Sequence, residues 1–77
     1  MIEIVLDERE WKGKSERLKK VIERLLEYGW EKFGNNGITV LFKDTPLSQA
    51  KNELKLLEID EIEPEEWKED LYNEYTN

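Results

Sequence analysis

The sequence predicts a small α+β domain, ferredoxin-like in the order β-α-β-β-α-β or a reduced three-stranded antiparallel or mixed sheet. In either form two helices pack on the sheet and a C-terminal acidic helix follows. Three observations carry this. The chain opens on a β-branched run, an Asn-Gly turn separates two aromatic and β-branched runs, and two later stretches space their apolar residues as helices do. A length of 77 residues suits one domain, since domains run roughly 50–250 residues. The expected division is a core over residues 1–62 and the acidic helix over residues 63–77.

In the first run, Ile2, Ile4 and Leu6 fall on one face of a strand. Residues 7–14 are polar and contain Gly13, which reads as a loop. Ser15 is the expected N-cap of a helix whose stripe is Leu18, Val21, Ile22, Leu25 and Leu26. Tyr28-Gly29 is its stop, because glycine accepts the left-handed conformation of a helix end.

Asn35-Asn36-Gly37 is a hairpin signal, because Asn and Gly tolerate positive φ. The turn centre is either Asn35-Asn36 or Asn36-Gly37. In both registers Phe33 shares a face with Ile38, Val40 and Phe42, while Trp30 shares one with Leu41. A competing reading continues the first helix through Trp30 and Phe33.

Thr45-Pro46 marks a second helix start, with Leu47, Ala50, Leu54 and Leu57 as its apolar stripe. Residues 56–62 fit either an extension of that helix or a strand with Leu57 and Ile59 inward. Pro64 is expected to open the last helix, which aligns Trp67, Leu71 and Tyr75. The helices should cover the Ile2, Ile4, Leu6, Phe33, Ile38, Val40 and Phe42 face. Val5, Trp30, Leu41 and Ile62 then lie on the other face, beneath the last helix or another chain.

Composition narrows the chemistry. The chain has no Cys and no His, which removes disulfide scaffolds, zinc fingers, thiol enzymes and imidazole mechanisms. No apolar run approaches the ~18 residues of a membrane span and no signal peptide is evident, so the expectation is a soluble, cytoplasmic protein without a membrane partner. Ser15 and Ser48 have helix-start roles, and the carboxylate pairs Asp60/Glu63 and Glu66/Asp70 read as solvated charge. The expectation is therefore no enzyme, no cofactor and no metal.

Charge supplies the functional reading. The first 51 residues hold ten basic and nine acidic side chains and the remainder two and ten, which concentrates the net −7 in the final third. Glu58, Asp60, Glu61, Glu63, Glu65, Glu66, Glu69, Asp70 and Glu74 form a candidate acidic binding surface, with Trp67, Tyr72 and Tyr75 as aromatic anchors. Such a surface could imitate the charge of nucleic acid and dock on the basic surface of a larger protein, for example a nucleic-acid-processing enzyme. In size and charge this is analogous to small acidic inhibitors of phages and mobile elements. The alternative is a nucleic-acid-binding or assembly subunit using Lys12 and Lys14 just before the helix and Arg17, Lys20 and Arg24 along one helical side; the cations at the helix N-terminus do not help the helix. The overall negative charge disfavours direct nucleic-acid binding. Self-association into a homo-oligomer is compatible with either reading.

Overall fold

The computed structural model describes residues 1–67. Strand β1 (Ile2–Asp7) leads through a 3-10 turn (Glu8–Trp11) into helix α1 (Ser15–Glu27), the hairpin β2 (Glu31–Asn35) and β3 (Ile38–Lys43), helix α2 (Leu47–Leu56), and a two-residue strand β4 (Glu65–Glu66). The sheet order is β2-β3-β1-β4, and every neighbouring pair is antiparallel. This four-stranded antiparallel sheet with two helices is consistent with a ferredoxin-like kind of fold.

Both helices end in the same way, and those ends set much of the core. At α1, Gly29 N–H donates to the Leu26 carbonyl at 3.2 Å and Trp30 N–H to the Leu25 carbonyl at 3.1 Å, the paired bonds of a Schellman motif. Gly29 takes φ +92, which a Cβ would strain. The motif throws Trp30 back against Leu25, and both are buried. At α2, Glu58 N–H donates to Lys55 and Ile59 N–H to Leu54, at 3.1 and 2.9 Å. Ile59 and Leu54 are the buried pair there, but the left-handed residue, at φ 58, is Glu58. A Schellman end thus replaces both readings of residues 56–62. The helix stops at Leu56, and the inward Leu57 and Ile59 belong to an unpaired segment.

Pairing between β1 and β3 decides which side of the sheet is the core. Ile4 lies opposite Leu41 and Leu6 opposite Thr39, whereas Val5 lies opposite Val40 and Glu3 opposite Phe42. Residues directly opposite share a face. The helix-covered face therefore carries Ile2, Ile4, Leu6 and Leu41, packed with Trp11, Leu18, Val21, Leu25, Trp30, Ala50, Leu54, Leu57 and Ile59. This corrects the expected faces. Phe33, Ile38, Val40 and Phe42 keep their expected mutual parity, yet they lie away from the helices. Trp30 and Leu41 take the core in their place.

A polar latch explains how a tryptophan tolerates that burial. Trp30, 2% exposed, donates its Nε1–H to Glu53 Oε1 at 2.6 Å, so its polar atom is not stranded. Lys43 Nζ donates to Glu53 Oε2 at 2.9 Å and to the Tyr28 carbonyl at 2.6 Å. It also stands 6.0 Å from the Trp30 ring centroid, within cation–π range. Three carriers (the end of α1, the end of β3 and the middle of α2) are joined through one carboxylate.

Other local expectations shift in detail. Ser15 is the first helical residue of α1, and Lys14 holds the cap position without a side-chain cap bond. Pro46 rather than Thr45 caps α2; its fixed φ and missing N–H suit a helix start. The hairpin turns on Asn36 and Gly37, at φ 52 and 82, so the second register is the one formed. Residues 7–14 are not a plain loop, since Asp7 caps the 3-10 turn by accepting from Arg9 N–H at 3.0 Å. That turn buries Trp11.

The largest correction concerns Pro64. Glu65 and Glu66 pair with Glu3 and Ile2, and Trp67 N–H donates to the Met1 carbonyl at 2.8 Å. The chain leaves Pro64 extended, so no helix starts there and residues 63–67 are not helical. The remainder of the expected C-terminal helix, with Leu71 and Tyr75, lies outside the described residues.

Two stability outcomes follow. Glu58→Gly should stabilise the fold by about 0.5–1 kcal/mol by relieving the left-handed residue, less the greater unfolded-state entropy of glycine. Glu53→Leu should destabilise it by about 1–3 kcal/mol, because it leaves the buried Trp30 N–H without its acceptor. Urea titration of the two variants beside the parent protein checks both.

Candidate functional site

The expected acidic surface does not form one helical face. Glu58, Asp60 and Glu61 lie on the segment after α2, and all three are exposed. Glu61 is committed to a structural contact. Arg17 Nε and Nη2 reach its two carboxylate oxygens at 2.7 and 3.0 Å, and Nη2 also donates to the Glu58 carbonyl at 3.1 Å. The Arg17 guanidinium holds the Glu61 carboxyl down at about 2. Glu63 is exposed beyond it. Glu65 and Glu66 are adjacent in a strand, so they point to opposite faces of the sheet. Glu69, Asp70 and Glu74, and the anchors Tyr72 and Tyr75, lie outside the described residues. Trp67 meets Phe42 edge-to-face, with centroids 6.3 Å apart at 70°.

The basic patch is dispersed as well. Arg17, its central member, is occupied by Glu61. Lys20 and Arg24 border a shallow open depression shared with Glu23, Glu27 and Tyr28. Lys12 borders a second one, beside Glu8, Trp11 and Lys32. Lys14 sits at the exposed start of α1. Lys20 and Arg24 are one turn apart on the same side of α1, and Glu23 and Glu27 border the same depression. Among the described residues no cluster of carboxylates converges to hold a metal ion, and no helix is long and apolar enough to cross a membrane.

The sheet brings together a surface that the charge pattern alone did not reveal. On the face away from the helices, the register stacks Phe42, Val40 and Ile38 along β3. Phe33 and Val5 lie on either side of Val40. The result is an apolar cross, one arm along the strand and one across three strands. Phe33 is 64% exposed, Val5 54% and Ile38 38%. Carboxylates stand between the arms: Glu31 beside Phe42 on one side, Glu3 on the other, and Asp7 beside Ile38. Glu65 extends the rim outward from Glu3. Arg9 bonds Asp7 at 3.1 and 2.9 Å, with most of its own side chain exposed.

The rim is electrostatically strained. Partial burial and then the facing Glu65 push the Glu3 carboxyl up, as expected for like charges directly opposite in a sheet. The signal for this face was present in the sequence as the Phe33/Ile38/Val40/Phe42 parity. What was missing was its phase relative to β1.

No family model matches the chain, and neither the curated proteins nor the solved structures include a significant match to it.

Glu3 and Glu61 pull stability in opposite directions with pH. A lowered folded-state pKa contributes stability above the unfolded value that is lost as pH falls. The Arg17–Glu61 contribution should therefore fade from about pH 4.5 down toward 2. The raised Glu3 pKa does the reverse, and its cost at neutral pH is relieved on acidification past its folded value. Glu3→Gln should thus raise the melting temperature at pH 7 and have little effect at pH 3. Arg17→Met should lower stability at pH 7 by about 0.2–1 kcal/mol, as for an exposed ion pair, and flatten the acid limb. Thermal melts across pH 2–8 check each.

Proposed function

We propose that this chain is a non-enzymatic protein–protein interaction module that docks an acid-rimmed surface on the basic surface of a larger protein. The observation that carries this reading is the apolar cross on the open sheet face, bordered among the described residues by Glu3, Glu31 and Glu65. Isolated exposed apolar residues are ordinary; a contiguous patch rimmed by polar groups marks an interaction site. The carboxylates would steer a cationic partner and repel an acidic one, while the apolar residues supply holding contacts. The exposed Glu58, Asp60 and Glu63 add to the same steering field.

The finer reading, imitation of nucleic-acid charge, makes the partner a nucleic-acid-processing protein. It rests on the acidic third of the chain and would show as displacement by added DNA. The basic-patch alternative is weakened by the commitment of Arg17 to Glu61. For the architecture, the strand order supports a ferredoxin-like domain whose last strand is cut to two residues.

The test is capture from a nuclease-treated lysate with the tagged chain, followed by a salt gradient. A basic protein released by moderate salt, and lost with the Glu3→Lys, Glu31→Lys, Glu65→Lys triple variant, is the expected outcome. Capture untouched by the triple reversal would overturn the electrostatic reading. Retention of nucleic acid in untreated lysate, lost with Lys14→Glu and Lys20→Glu, would favour the alternative.

A further inference from the structure

We infer that the open sheet face receives an amphipathic helix, supplied by the partner, whose apolar stripe is bracketed by Lys or Arg on both sides. This inference rests on the interaction-module reading and names the element of the partner that fits. The long arm of the cross runs from Phe42, whose ring Trp67 already meets edge-to-face, through Val40 to Ile38, four residue steps of strand or about 14 Å. Apolar residues at i, i+4 and i+7 of a helix span about 10.5 Å, so one helical stripe lies along that arm. Phe33 and Val5 then flank the stripe, in the way that the opposite face of the same sheet already accepts α1 and α2.

Charge complementarity selects the flanks. Glu31 borders the stripe on one side, with Glu3 and Glu65 on the other; Asp7, beside Ile38, is already paired with Arg9. A helix with basic side chains on both borders of its stripe meets a carboxylate at each. The same rim argues against three other occupants. A second copy of this chain would bring Glu3, Glu31 and Glu65 against their own equivalents. A nucleic acid stacking bases on Phe33 and Phe42 would set its phosphates among those carboxylates. The third is this chain's own residues 68–77, which follow directly from Trp67 and carry Glu69, Asp70 and Glu74 against one lysine, so they repeat the sign of the rim.

The test uses the full chain, isotope-labelled for NMR, with an 18-residue synthetic peptide as probe. The peptide places Leu on one helical face and Lys on both borders; a scrambled peptide of identical composition is the control. The expected result is amide shifts at Val5, Phe33, Val40 and Phe42, with residues 58–63 quiet. Binding should weaken at least about tenfold, or 1.4 kcal/mol, with the scrambled peptide and with the Val5→Thr, Phe33→Thr double variant. Both substituted residues are exposed, and the melting curve of the variant verifies that its fold is kept.

A footprint confined to residues 58–63 overturns the assignment of this face while keeping the interaction-module reading. Equal binding of the scrambled peptide, or no binding, overturns the helix assignment. If there is also no charge-dependent capture from lysate, the module reading falls with it. Shifts on the face that grow with protein concentration alone assign it to a second copy. Binding that emerges only after Leu71→Ser and Tyr75→Ser assigns it to the chain's own segment. Displacement of the peptide by oligouridine at the same residues assigns it to nucleic acid. Each of these three overturns the inference.

Discussion

The burial of Trp30 is the constraint on which the rest of this structure depends. The Schellman end of α1 aims the indole at the core, and Glu53 makes that burial affordable by accepting its N–H. Once Trp30 is inside, the strand that follows has no freedom of phase. Lys32 and Leu41 must lie on the core side, and Phe33, Val40 and Phe42 must turn away. One side chain thereby decides which half of the hairpin's apolar surface is spent on folding and which half stays open. A sheet face with exposed Phe33, Val5 and Ile38 beside carboxylates is the by-product of that choice.

Charge shows a related economy. The linear sequence separates a basic stretch from an acidic one, but folding brings their centres together through Arg17 and Glu61, 44 positions apart. The guanidinium closes the C-terminal end of α2 against the start of α1, and it spends its donors on a carboxylate and a backbone carbonyl. What remains of the basic stretch is interleaved with Glu23 and Glu27. The acidic remainder, by contrast, extends from the post-α2 segment onto the sheet rim.

The elements that could be read from sequence are those whose determinants are local. Leu18 through Leu26 announce α1, and Leu47, Ala50, Leu54 and Leu57 announce the buried side of α2. Asn36-Gly37 fixes the hairpin because positive φ is a property of two adjacent residues. Hidden features depended on partners far along the chain. The phase of β3 against β1 is set by Ile4 meeting Leu41, which no window around either residue contains. Trp11 sits in a polar stretch, and the 3-10 turn that carries it inward is held by the Asp7 cap and by Glu8 N–H on the Gly37 carbonyl, 29 positions away. Pro64 has a fixed φ near −65°, which suits a first helical turn and an extended strand alike. Its context after two Schellman ends, rather than its identity, chose the strand. The same lack of context made Glu65 and Glu66 look like neighbours on one helix when they flank a sheet edge.

The strand order also has a consequence for how the chain is assembled during synthesis. The first strand to be made, β1, ends in the interior of the sheet, with β3 on one side and β4 on the other. At roughly 5–20 residues per second, Ile2, Ile4 and Leu6 wait seconds for Lys43 to leave the ribosome before their first neighbour exists. During that interval an apolar segment with two unpaired edges is held in the nascent chain. The hairpin, whose contacts are local, can close by itself and then present Val40 and Leu41 to β1 as one preformed unit. The two residues of β4 finish the sheet last. This order makes the β2–β3 hairpin the natural template for β1.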